Sequence, residues 1–181
     1  MTRDAHDDTP HDQAAKEAME EEGGLLAIDL GLKMGLAHFD HQGKLLRYHA
    51  QRLANKAALK RHVYDVFIRH KPLCALITEG DASLAKIWHR LAEKWELRIV
   101  HIQAQRWRDD LLLPRDIASG GAHAKAIAQH KALQVIAASD VAPQPTRPQV
   151  AHDAAEAILI GLWGAHHLGW IEQERLDALL A

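Results

Sequence analysis

The sequence predicts a mixed α/β fold: a three-strand antiparallel meander, then two parallel strands, in one five-stranded sheet flanked by helices. Three observations carry this prediction. Apolar runs of strand length fill residues 25–53, with turn residues between them. Two later runs, LCALITE and LRIVHIQ, each follow a helical pattern, which is how crossover-linked parallel strands alternate with helices. The C-terminal part then repeats apolar residues at helical spacing without a further strand-like run.

Each element has its own local reason. LLAIDLG, from Leu25, is a buried strand, and MGLAHFD is a second, joined by the tight connection Gly31-Leu32-Lys33. His41-Gln42-Gly43 turns into KLLRYHAQRL, the third strand. Asn55 caps a helix running to about His70, closed by Pro72. Leu73–Glu79 is the fourth strand. A helix over about Ala82–Glu96 spaces Leu84, Ile87, Trp88, Leu91 and Trp95 on one face. Leu97–Gln103 is the fifth strand. Arg106–Leu113 is a short helix or loop ending at Pro114. A helix covers about Ala122–Ala138, a non-helical linker holds Pro143, Pro145 and Pro148, and a long helix covers about Ala151–His167.

Composition bounds the function. The 181 residues are 48% hydrophobic and 25% charged, which is ordinary globular usage. The longest apolar run, Ala157–Ala165, is too short to span a bilayer. No basic stretch followed by an apolar one opens the chain, so no secretory signal is expected. The single cysteine, Cys74, forms no internal disulfide and is read as inert core in mid-strand. A reducing cytoplasm is the expected location.

The net charge of −2 conceals an asymmetry. Residues 1–24 hold eight acidic and two basic side chains and few large apolar ones, so they are read as a disordered acidic tail of charge −6. Residues 25–181 hold 20 basic and 16 acidic side chains, a mildly basic domain of +4. That balance permits phosphate binding without arguing for it alone.

Four acids stand out. Asp29 lies between Ile28 and Leu30 in an apolar strand, where a carboxylate is costly to bury unless it is paired or binds a cation. Glu79 closes the fourth strand at its carboxyl end, where crevices of α/β sheets open. Asp153 and Glu156 are three apart at the start of the last helix and share a face. Taken singly, each has an ordinary reading as a solvated strand end, a hydrogen-bonded Asp or a helix-terminus charge. Together, with no matching cluster of buried cations, they indicate a site for hard divalent ions. Two such ions held about 4 Å apart activate a water and stabilise a leaving oxygen.

AIDLGLKMGLAHFD places Asp29, Gly31, Gly35 and Ala37 in a D-x-G-x-x-x-G-x-A pattern that resembles the first hairpin of the RNase H-like superfamily. With Glu79 on the next parallel strand and the D-x-x-E pair of HDAAEAILIGLWG, the chain resembles the RuvC branch over about Leu25–Trp170. GGAHAKAIAQH is similar to the helix that supplies a lysine to the site in that branch, here Lys125. The resemblance implies an RNase H-like sheet and a crossover junction endodeoxyribonuclease. Asp29, Glu79, Asp153 and Glu156 would hold two Mg²⁺ ions, with Mn²⁺ as a substitute, and Lys125 would contact the scissile phosphate or the attacking water. It also implies a homodimer that cuts four-way (Holliday) DNA junctions, leaving 5′-phosphate and 3′-hydroxyl ends.

The chain also departs from that pattern. After Glu79 it reads GDASLAKIW, without the closely following aromatic residue that bacterial RuvC carries, so junction opening would use another side chain. GLKMG resembles the YqgF branch and phage-encoded RuvC-like nucleases more than cellular RuvC. His152 stands one turn from Glu156, which leaves a His–Glu pair open beside the Asp153–Glu156 reading. Trp88 and Trp95 follow the apolar face of their helix and read as core. In the Arg106-Trp107-Arg108 triplet, Trp107 is read either as a surface for bases or as a loop anchor, and Lys33 joins the triplet as a candidate nucleic-acid contact. The alternative function is a YqgF-like ribonuclease acting on ribosomal RNA precursors. An actin-like ATPase would need two such domains, and a non-cleaving DNA-binding module would not need all four acids.

Overall fold

The computed structural model describes residues 23–31, 33–118, 121–139, 141 and 150–181. The acidic segment 1–22 and the proline segment 143–148 lie outside the described residues. The elements in chain order are β1 (Gly24–Leu30), β2 (Lys33–Phe39), β3 (Leu45–Arg52), α1 (Lys56–Arg69), β4 (Leu73–Gly80), α2 (Ala82–Lys94) and β5 (Arg98–Ile102). There follow α3 (Ala104–Leu111), α4 (Pro114–Ala118), α5 (Gly121–Ala138), α6 (His152–His167) and α7 (Gln173–Leu180). The five strands form one sheet in the order β3-β2-β1-β4-β5. β1–β2 and β2–β3 pair antiparallel, while β1–β4 and β4–β5 pair parallel. This is the mixed sheet that the sequence predicts.

Alternation along the central strands divides the core into two layers. Leu25, Ala27, Ala37, Phe39, Ala75 and Ile77 pack with α6. Leu26, Ile28, Leu36 and Leu76 pack on the opposite face with Val63 and Phe67 of α1 and Leu84 and Trp88 of α2. Because both faces are covered, β1 and β4 read as continuous apolar runs, and a carboxylate within them is conspicuous. The Asn55 side chain accepts a hydrogen bond from the Ala58 N–H and starts α1, as its position predicts.

Helix α6 explains why its sequence is apolar on all sides. Twelve of its residues are buried, including Ala154–Ala165 without a break. It lies close against the sheet, and a Cβ on Gly161 would stand 2.2 Å from the Phe39 ring. No helix among the described residues is long and apolar enough to cross a membrane. The C-terminal helix α7 is the element sequence reasoning omits. Its eight residues bury mainly Leu176, too little for periodicity to mark. The segment read as Arg106–Leu113 is helix α3 as far as Leu111, and a second short helix, α4, opens at Pro114.

Candidate active site

Three neighbouring strands align the first part of the site. Asp29 on β1 pairs with Glu79 on β4 on one side and with Gly35 on β2 on the other. Strand alternation turns both carboxylates to the side that α6 covers, as it does the flanking Ala27 and Ile77. Gly35 has a steric reason to lack a side chain. A Cβ there would lie 1.8 Å from the Asp153 carbonyl oxygen, so the first turn of α6 rests directly on the β2 backbone. That contact places Asp153 and Glu156 over the strand row holding Asp29 and Glu79.

The electrostatics confirm that the four acids share one field. Burial pushes the Asp29 carboxyl up from 3.8 to about 8, and Glu156, Glu79 and Asp153 add to the rise, while Arg108 opposes it. Glu79 is raised by burial and by Glu156, again against Arg108. Both results express the cost of crowding carboxylates away from water. Glu79 and Glu156 are 8% and 9% exposed, so solvent does little to relieve that cost.

Glu156 already has two partners. Arg108 donates from Nη2 to its Oε1 at 2.5 Å, and His152 Nε2 stands 3.4 Å from Oε2. His152 Nδ1 is buried with no partner among the described residues. The i,i+4 contact between His152 and Glu156, open from spacing alone, is therefore formed, and Asp153 acts on Asp29 from the same turn. Among the described residues no three His, Cys, Asp or Glu side chains converge as a ready metal cage. In this arrangement the Glu156 oxygens are engaged by Arg108 and His152. The donor set itself, four carboxylates and a neighbouring imidazole, has the hard-oxygen chemistry that suits Mg²⁺ or Mn²⁺.

The remaining candidate residues separate. Trp107 is 0% exposed and belongs to the core, so its ring cannot stack on a base, and the expectation of a nucleic-acid contact there is corrected. Burying Trp107 forces its neighbours apart, since successive helical residues lie about 100° from one another. Arg106 turns to the surface and pairs with Asp110 at 3.6 Å, while Arg108 turns to Glu156. Asp110 also accepts from Trp163 Nε1 at 2.8 Å, tying α3 to α6. Arg108, expected to touch nucleic acid, thus stands at the carboxylates. Lys125 is exposed on α5 and is not among the charges that act on Asp29 or Glu79. Lys33 is exposed at the start of β2. Cys74 is partly buried, its thiol 3.2 Å from the Gly23 carbonyl.

No protein-family model and no curated protein matches the sequence. Solved structures do match the fold. RuvC from T. thermophilus, in complex with a Holliday junction substrate, aligns over 81% of this chain and 95% of its own, at TM-score 0.50 and 15% identity. Fowlpox virus resolvase, in complex with its substrate Holliday junction DNA, aligns over 80% of this chain and 98% of its own, at TM-score 0.54 and 16% identity. The fold is RNase H-like. At these identities the likeness is one of fold. In this RNase H-like sheet the carboxylates of β1, β4 and α6 are assembled by the strand pairing and by the seating of α6 on β2.

Proposed function

We propose that the chain is a divalent-metal-dependent endodeoxyribonuclease that cuts four-way DNA junctions, working as a homodimer on branched DNA. The observation that carries the reading is the crowding of Asp29, Glu79, Asp153 and Glu156 into one partly buried field. Arg108 is the cation that opposes the rise at both Asp29 and Glu79. The substrate is taken from the fold neighbours, RuvC and fowlpox resolvase, each solved with Holliday junction DNA.

In this reading Asp29, Glu79, Asp153 and Glu156 hold Mg²⁺, and Mn²⁺ substitutes for it. When bound, the ions supply a Lewis acid and a water made nucleophilic near neutral pH. The protein's own groups have separable tasks. Asp29 must shed the proton that burial and its neighbours favour before it serves as a ligand. Arg108 and His152 hold Glu156 in place from opposite oxygens. Lys125, exposed on α5, is assigned to the scissile phosphate or the attacking water once DNA is bound.

The test is cleavage of synthetic four-way, three-way and linear DNA duplexes, and of structured RNA, in Mg²⁺ and in EDTA. Cutting confined to branched DNA in Mg²⁺ is the expected result. Cleavage of structured RNA with intact junctions would transfer the assignment to a ribonuclease, and no cleavage of any substrate would overturn it.

A further inference from the structure

A second charged feature lies at the β3 edge of the sheet, away from the carboxylates. A cavity of about 310 Å³ opens between the edge strand β3 and the C-terminal end of α1, with Arg47, His49, Arg69 and His70 on its walls beside Leu46, Tyr48 and Val141. The register explains the grouping. Arg47 pairs with His38 and His49 with Leu36, so both lie on the side that α1 covers. His38 pairs in turn with Leu26, three residues along β1 from Asp29, a separation of about 10 Å along the strand.

Charge and polarity restrict the occupant. Arg47 and Arg69 are exposed, and among the described residues neither forms an ion pair with a carboxylate. Two guanidinium groups exclude a metal ion and disfavour an apolar ligand. Of the last carbonyls of α1, Val66 O is engaged, accepting from the His70 N–H at 3.2 Å and from its Nδ1 at 2.7 Å. With Nδ1 donating to Val66 O, the neutral His70 ring presents Nε2 as an acceptor, and it donates to an anion only once the ring is protonated. We propose that this cavity binds a phosphate group, gripped by the Arg47 and Arg69 guanidiniums and completed by the His49 and His70 imidazoles. Forked guanidinium donors suit a tetrahedral oxyanion, and the site is independent of the nuclease reading.

The imidazoles on and beside the cavity walls are held towards their neutral form. Burial holds His49 down to about 4, helped by His70, His62 and Arg69. Burial also lowers His70, with Arg47 and Arg69 acting in the same direction and the Val66 bond against them. His38 is held at about 4 by burial, His70 and Arg47. The nearby carboxylates that act on this group are Asp65, on His62, and Asp40, on His38. A bound phosphate adds negative charge where positive charge dominates, so it raises the titration midpoints of His49 and His70.

The experiment follows the histidine ring resonances by NMR while inorganic phosphate is added at constant ionic strength, with the full chain. His49 and His70 should shift saturably, with midpoints moving up, while His152 stays in place. Arg47→Gln and Arg69→Gln, both surface positions, should each weaken the effect about tenfold or more, as expected for a lost charge-assisted bond. Unchanged melting of both variants shows that they fold. A second arm adds a four-way DNA junction to the Asp29→Asn protein. The same two resonances shifting with junction identifies a DNA backbone phosphate as the source, and shifting with inorganic phosphate alone identifies a small phosphoryl ligand. No shift with either, or wild-type binding by Arg47→Gln, overturns the site and leaves the carboxylate site untouched.

Discussion

Replacing Asp29 with Asn should stabilise the metal-free protein at neutral pH and do little at acidic pH. The carboxyl titrates near 8 in the fold against 3.8 in a free chain. The folded state therefore holds a proton that the unfolded state releases, and this group's contribution to stability falls as pH climbs from about 4 towards 8. At 1.36 kcal/mol for each tenfold change in proton concentration, the full rise sets a ceiling of about 6 kcal/mol. Structural relaxation and water entry reduce that ceiling, and about 1–3 kcal/mol is the expected net gain at pH 7.5. For a chain of this size that corresponds to a melting temperature about 2–10 °C higher. The assay is calorimetric melting of wild type and Asp29→Asn in EDTA at pH 4.5 and 7.5. Adding Mg²⁺ at pH 7.5 should raise the wild-type melting temperature more than that of the variant. A variant that melts below wild type at pH 7.5, or by the same margin at both pH values, refutes the reasoning.

Glu156→Gln should lose cleavage while keeping junction affinity within a few-fold, because binding draws on phosphate contacts and not on the carboxylates; gel-shift and single-turnover assays on one four-way junction check this. Lys125→Ala should slow single-turnover cleavage about 100-fold with little change in affinity, while equal losses in both would mark it as a general phosphate contact. Gly35→Ala drives a methyl group into the Asp153 carbonyl oxygen, so α6 must lift from β2. A loss of about 3 kcal/mol, seen as a melting temperature about 6–12 °C lower, is expected, and an unchanged melt would mean α6 is not seated as described.

Much of the architecture was legible before any coordinate. Strand-length apolar runs, the Asn55 cap and the helical spacing over Ala82–Glu96 each have a local cause, and each appears in the fold. Element ends differ by a residue or two, as at Gly24 and Lys94, because pairing and fraying, not propensity, set the last residue. Asp29 stands out in the sequence for the same reason as the strands, whereas Asp153 and Glu156 stand out by their helical spacing. A carboxylate in a strand buried on both faces contradicts its surroundings, and that contradiction is written in neighbouring residues.

What only the tertiary structure decided depends on direction and distance. Sequence spacing cannot say which way a side chain on a short helix points. It therefore left Trp107 open between a surface for bases and a loop anchor and set Arg108 towards DNA, whereas packing against α6 sends Trp107 inward and Arg108 to Glu156. Lys125 stands exposed and is not among the charges that act on Asp29 or Glu79, and no local rule relates the first turns of α5 to β1. The His38, His49, His62 and His70 group draws one member from β2, one from β3 and two from α1 or its cap, and no spacing in the chain joins them. Local patterns determine the elements because each is stabilised by near neighbours. The site and the basic cavity are set by contacts between strands and helices far apart in the chain, and those contacts exist only once the sheet has closed.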